Sequence, residues 1–272
     1  MAVESSTKIS LGKGGEFRSA STVSTGNVLG TTAVFIPLPY QTERVIITPT
    51  TFSTAVSVSV AVNPWLVVLK TTDNMGNLAD YSKAAQDAST STLVDVSALN
   101  TRANGDFLLV GSHIPFRGVY FDVHGLNAAG TATVSVYYWN GSAWVDTSAT
   151  VTGIRTTMVW DKDGIVTWTV PAAWKPESIK ELYPSFTTPK YFYEPKLYWT
   201  RWEVDAALAD TDVTFYSMSA ANRSTAYAEL ISGQSLSKNM YHGFGGEGCV
   251  EALANAASAY VHVNAYTSGK FE

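Results

Sequence analysis

Apolar residues in this chain come in short runs closed by prolines and turn pairs, and that spacing is the spacing of β-strands. Val34-Phe35-Ile36, Val45-Ile46-Ile47 and the alternating Val56-Ser57-Val58-Ser59-Val60 follow one another, with Pro37, Pro39 and Pro49 between them. In the last run the valines share one face and the serines the other, as in a half-buried antiparallel strand. From Trp65-Leu66-Val67-Val68-Leu69 onward the texture becomes aromatic, and all eight tryptophans fall between Pro64 and Met218. Strand candidates there are Phe107 to Val110, Val119 to Val123, Thr133 to Trp139, Trp144 to Asp146, Thr157 to Trp160, Ile165 to Val170, Tyr198 to Glu203 and Val213 to Tyr216. Asn140-Gly141 and Asp163-Gly164 supply residues that tolerate positive φ between apolar runs, so both read as hairpins.

The expected fold class is all-β. An antiparallel β-sandwich or jelly roll occupies residues 64–218, and a smaller β domain is built from flanking segments, 31–63 completed by 219–272. Leu78 to Ala98 reads as a long polar loop, Thr225 to Ile231 as a helix-compatible piece, and Ala259 to Tyr266 as a closing strand. Residues 1–30, with Gly12, Gly14, Gly15, Gly26 and Gly30 among serines and threonines, read as an extended N-terminal arm. Such a segment buries too little apolar surface to offset its own ordering entropy, so it either drapes over a neighbour or frays.

Charge narrows the partners. Only 15% of the residues are charged, against roughly 25% in an ordinary soluble protein, and the formal net charge is -5. No global positive field draws nucleic acid or anionic lipid, and Lys8, Lys13 and Arg18 are the nearest thing to a basic group. A surface so poor in charge costs little to desolvate, which suits packing against other subunits. Cys249 is the single cysteine, so an intrachain disulfide and a multi-cysteine zinc site are excluded. The opening residues lack the apolar core of a signal peptide, which points to synthesis in a cytoplasm, and no run approaches a membrane span.

One ordered set of segments is the most distinctive feature. Gly105-Asp106-Phe107-Leu108-Leu109-Val110-Gly111-Ser112 leads to Pro115-Phe116-Arg117-Gly118-Val119-Tyr120-Phe121-Asp122-Val123, then Val136-Tyr137-Tyr138-Trp139-Asn140-Gly141-Ser142-Ala143-Trp144-Val145. Asp163-Gly164-Ile165-Val166-Thr167-Trp168, Pro171 with Trp174, and Tyr198-Trp199-Thr200-Arg201 complete it. The set, over about residues 64–218, resembles a β-sandwich domain of uncharacterised virion proteins of tailed phages. What the resemblance implies is a non-enzymatic component of a bacteriophage virion, synthesised in the host cytoplasm. A capsid decoration or head-surface role comes first, and a tail or baseplate role second. Its partners would be major capsid or tail proteins and copies of itself, with no cofactor.

Individual residues offer other chemistry. Trp139, Trp144, Trp168 and Trp174 are candidates for core or interface packing, and alternatively for a platform on which a host glycan stacks. Asp161, Asp163, Glu177, Glu181 and Glu203 are the acids from which a glycan hydrolase would draw its pair. Asp163 is better explained as a turn residue, and Glu177 with Glu181 as a solvated pair. Asp161-Lys162-Asp163-Gly164 opens like a calcium loop but lacks the acid that would close it. His113, His124, His242 and His262 have no metal-binding spacing. Cys249 with His242 is a nucleophile pair only in principle, and Gly243-Phe244-Gly245-Gly246-Glu247-Gly248 lacks the lysine of a phosphate loop, so it reads as a subunit-contact loop.

Overall fold

The computed structural model describes residues 8–11, 17–24, 29, 33–38, 42–51, 56–86, 91–97, 99, 102–125, 132–152, 160–187, 190, 192–208, 212–218, 226–239, 247–256 and 259–269. In chain order the strands are β1 (Lys8–Leu11), β2 (Phe17–Ser24), β3 (Val34–Pro37), β4 (Thr42–Thr51) and β5 (Val58–Pro64). Next come β6 (Val67–Thr72), β7 (Asn77–Asp80), β8 (Val94–Asp95), β9 (Phe107–Ser112), β10 (Gly118–Gly125), β11 (Val134–Trp139) and β12 (Trp144–Asp146). After β13 (Thr150–Thr152) and β14 (Gly164–Thr167) stands a one-turn helix, α1 (Ile179–Leu182). The last are β15 (Tyr198–Val204), β16 (Asp212–Met218), β17 (Ala226–Leu230), β18 (Leu236–Asn239), β19 (Glu247–Ala254) and β20 (Ala259–Gly269). The chain divides into two compact units, 1–63 with 224–272 and 64–223. The second is inserted between β5 and β17 of the first.

In the first unit β2 pairs with β20, β3 with β19, β4 with β18 and β5 with β17, all antiparallel. These pairs are the nested rungs of one long hairpin. It rolls up so that alternate rungs fall in opposite sheets, β1-β2-β20-β4-β18 and β17-β5-β19-β3. That connectivity is a jelly roll. Val45, Ile47, Val261 and Val263 from one sheet meet Val58, Val60, Val62 and Val250 from the other in a single core.

The second unit repeats the scheme. β8 pairs with β16, β9 with β15, β10 with β14 and β11 with β12. The sheets run β13-β14-β10-β16-β8 and β12-β11-β15-β9-β6-β7, so β6, β7 and β13 are additions at sheet edges. Leu108, Val110, Val136 and Trp202 face Val119, Phe121, Val166 and Trp168 across the interior.

The six-stranded sheet is covered on its outside as well. Tyr183, just after α1, stacks on Phe107 of β9 with ring centroids 5.9 Å apart. Trp199 donates from its indole to the Glu177 carbonyl at 2.8 Å. With both faces buried, β9 reads as an unbroken apolar run in which every residue from Phe107 to Ser112 is inaccessible. Trp65 to Leu69 shows the same texture for the same reason.

The all-β sandwich architecture is as expected, and several local expectations are corrected. Residues 8–11 and 17–24, assigned to an N-terminal arm, form β1 and β2, and β2 pairs along its length with β20 of its own chain. Main-chain pairing needs a partner edge more than apolar side chains, and that edge lies at the far end of the sequence. The long loop Leu78 to Ala98 contains β7 and β8. The helix-compatible piece Thr225 to Ile231 instead contains β17, which pairs with β5. Asp163-Gly164 is no two-residue hairpin, because the strand that precedes and pairs with β14 is β13, Thr150–Thr152, well upstream. Of the expected strand Thr157 to Trp160 only Trp160 is described, in a turn.

Candidate functional site

The tip of the second unit's rolled hairpin is made by Asn140, whose side-chain Oδ1 accepts from the N–H groups of Ser142 and Ala143 at 2.9 and 2.8 Å. Gly141 there has φ +100, a conformation that side chains rarely adopt. The turn brings Trp139 opposite Trp144, ring centroids 5.5 Å apart and edge-on. Both indoles are half-buried. The Trp139 indole N–H is buried and has no hydrogen-bond partner among the described residues.

Trp168 and Trp174 lie elsewhere, in the sandwich interior, 6% and 4% exposed. Trp174 donates to the Trp199 carbonyl at 3.1 Å and packs within 5.2 Å of Phe116. Trp168 packs edge-on against Phe116 and Trp202, at 5.5 and 6.0 Å. No plane of either ring is offered to a sugar, so as glycan candidates these two are corrected. The apolar core of a sandwich this size has to be filled, and indoles fill it.

On the covered outside of the six-stranded sheet, opposite Ser135 of β11, Glu203 is buried and held by two guanidinium groups. Arg201 approaches one carboxylate oxygen to 2.6 Å and Arg102 the other to 2.9 Å. The Arg201 guanidinium lies 4.2 Å from the Phe107 ring centroid. Burial pushes the neighbouring Tyr183 phenol up to about 12. Both oxygens of Glu203 are thus engaged in ion pairs.

The remaining acids are distributed as follows. Lys196 lies 2.8 Å from Glu177 and holds its carboxyl below the usual range. Glu181 sits in the first turn of α1, exposed, its N–H donated to the Ser178 hydroxyl that caps the helix. Asp163 accepts from the Val123 N–H at 3.0 Å, and its carboxyl faces that of Asp122. Burial, then the facing Asp163, raises Asp122 above the ordinary aspartate value. His124 Nε2 stands 3.6 Å from Asp122. This acid pair is invisible to spacing, because Asp122 and Asp163 come together only through the β10–β14 register, Phe121 opposite Gly164. Period-2 alternation along Tyr120-Phe121-Asp122 was the one available sign that Asp122 points away from the core.

Cys249 is buried in β19. His242 and residues 243–246 of the glycine cluster lie outside the described residues. Among the described residues no three acidic, histidine or cysteine groups are placed to hold a metal ion. No helix among them is long and apolar enough to cross a membrane.

No family model, curated protein or solved structure matches this chain.

Proposed function

We propose that this chain is a non-enzymatic structural component of a bacteriophage virion, a capsid decoration or head-surface protein that holds neighbouring subunits together through its sheets. The double jelly roll carries the reading: two sandwiches of the same connectivity, one set into the hairpin tip of the other, each with an interior filled by its own side chains. Jelly rolls recur in viral shells and in lectins, and at the level of fold this is an analogy. Residue chemistry supports the same side. Glu203 is spent on ion pairs with two arginines and Glu177 on one with Lys196. The low charge of the whole sequence favours contact with other subunits. Within a particle the chain would meet major capsid proteins and its own copies after synthesis in the host cytoplasm. A tail or baseplate position is the alternative.

Copy number in purified particles, with antibody labelling by electron microscopy, tests this. Many copies spread over the head is the expected result. Label confined to the tail selects the alternative, and absence from particles overturns the assignment to a virion.

A host-glycan-binding module is the second reading, favoured by the half-buried Trp139 and Trp144 at the hairpin tip. Binding on a glycan array that is lost in W139A and W144A while the domain stays folded would support it. Absence of binding at millimolar sugar would remove it.

A further inference from the structure

The β17 edge of the first unit's four-stranded sheet pairs with β5 on one side, and among the described residues no strand pairs with its other side. Exposed edges of this kind template further pairing unless charged side chains, above all lysine, or a proline, a bulge or shortness protects them. Two other edges of this unit are protected so: β3 has four residues and ends in Pro37, and β18 carries Lys238. β17 reads Ala-Tyr-Ala-Glu-Leu, with neither lysine nor proline, and its one charge, Glu229, is engaged by the Tyr227 phenol. Tyr227 at 44% and Ile231 at 42% are the large apolar residues left exposed on and beside it. Tyr227 and Glu229 share the outer face, and the phenol donates to the carboxylate at 3.1 Å. Ala228 and Leu230 face the core.

We propose that β17 is a self-pairing edge, through which two copies of this chain join antiparallel about a two-fold axis at Ala228 to make one continuous sheet. The commitment to a second copy comes from complementarity in this register. Ala228 meets Ala228, and Tyr227 of each copy stands opposite Glu229 of the other, so each phenol that now donates within its own strand can donate across the axis. An isologous contact requires such a self-complementary patch. A shift of two residues sets Glu229 against Glu229 and is disfavoured, since like charges directly opposite repel. Five residues bury far less than the roughly 1,200 Å² of a stable interface, so the free protein dimerises weakly, and many copies on one lattice would strengthen the contact by avidity. The inference stands apart from the virion assignment, because it concerns the purified chain alone.

Sedimentation velocity on the full chain, from micromolar to millimolar, tests it. The chain should shift toward dimer as concentration rises. Y227E sets carboxylates against each other across the axis and should weaken the dimer about tenfold or more. Adding E229K to Y227E restores opposite charges in the same register and should restore the dimer. E229K alone, which removes the acceptor, should weaken it and serves if Y227E fails to fold. Thermal melts followed by circular dichroism should be alike for all, since both side chains are exposed. A chain that stays monomeric at millimolar concentration, a dimer indifferent to both single changes, or a double variant that fails to recover it overturns the proposal. None of these results bears on whether the protein copurifies with particles.

Discussion

Gly111 lies in β9 under the Trp199 ring, where a Cβ would stand 2.5 Å from a ring carbon. Trp199 is fully buried and cannot swing away, so G111A should cost about 1–3 kcal/mol as overpacking does, read as a lower urea midpoint for the second unit. Trp168 and Trp174 are interior, so W168A or W174A should each cost about 3–5 kcal/mol and show in unfolding rather than in sugar affinity. The same truncation at Trp139 should cost markedly less, which separates core from tip. Asp122 gives a pH dependence of stated sign. Its folded value is raised, so its contribution to stability is fully present below the ordinary aspartate value and is lost as pH rises through the raised one. D122N carries no charge to repel Asp163 at any pH, so its melting temperature should exceed that of the parent at neutral pH and the two should converge in acid.

At the scale of elements, legibility followed the number of buried faces. β5 alternates because Val58, Val60 and Val62 enter the core while Ser59 remains partly accessible. β9 reads as a continuous apolar run because α1 and its flanks cover its second face. Both kinds could be recognised without coordinates. β2, β8 and β17 could not, since each pairs with a strand distant in sequence, and β1 and β7, whose partners β2 and β6 are adjacent, are too short and polar to show a pattern. The Asn140-Gly141 turn was legible because its geometry is local, whereas Asp163-Gly164 resembled a turn and instead places Asp163 against β10. The Arg102, Arg201 and Glu203 cluster ties β15 to the turn before β9. Replacing Glu203 with leucine leaves Arg201 largely buried without its partner, so a loss of about 3 kcal/mol is expected, measured by denaturant unfolding.

At the scale of the molecule, insertion of one jelly roll into the hairpin tip of another makes a direct test of independence. Ala226 is paired with Val62, so the two ends of the first unit that flank the insertion lie a strand spacing apart. A short Asn-Gly turn joining Asn63 to Ser224 should therefore close the first unit, and residues 64–223 expressed alone should fold as the second. Circular dichroism and cooperative urea unfolding of both products check this. Failure of the closed first unit would show that its nine described strands depend on the inserted unit.

Strand content, the aromatic segment as a body of its own, the hairpin at Asn140-Gly141 and the poverty of charge were all written in local pattern, because pleat periodicity, turn conformation and composition depend on neighbours in sequence. Tertiary structure alone decided that the polar N-terminal strand belongs beside β20, that both units share one rolled connectivity, that two of four candidate tryptophans are interior, and that Asp122 meets Asp163. Each of these depends on which distant strand lies alongside and in what register. Main-chain hydrogen bonding is indifferent to side-chain identity, so no local pattern announces that choice.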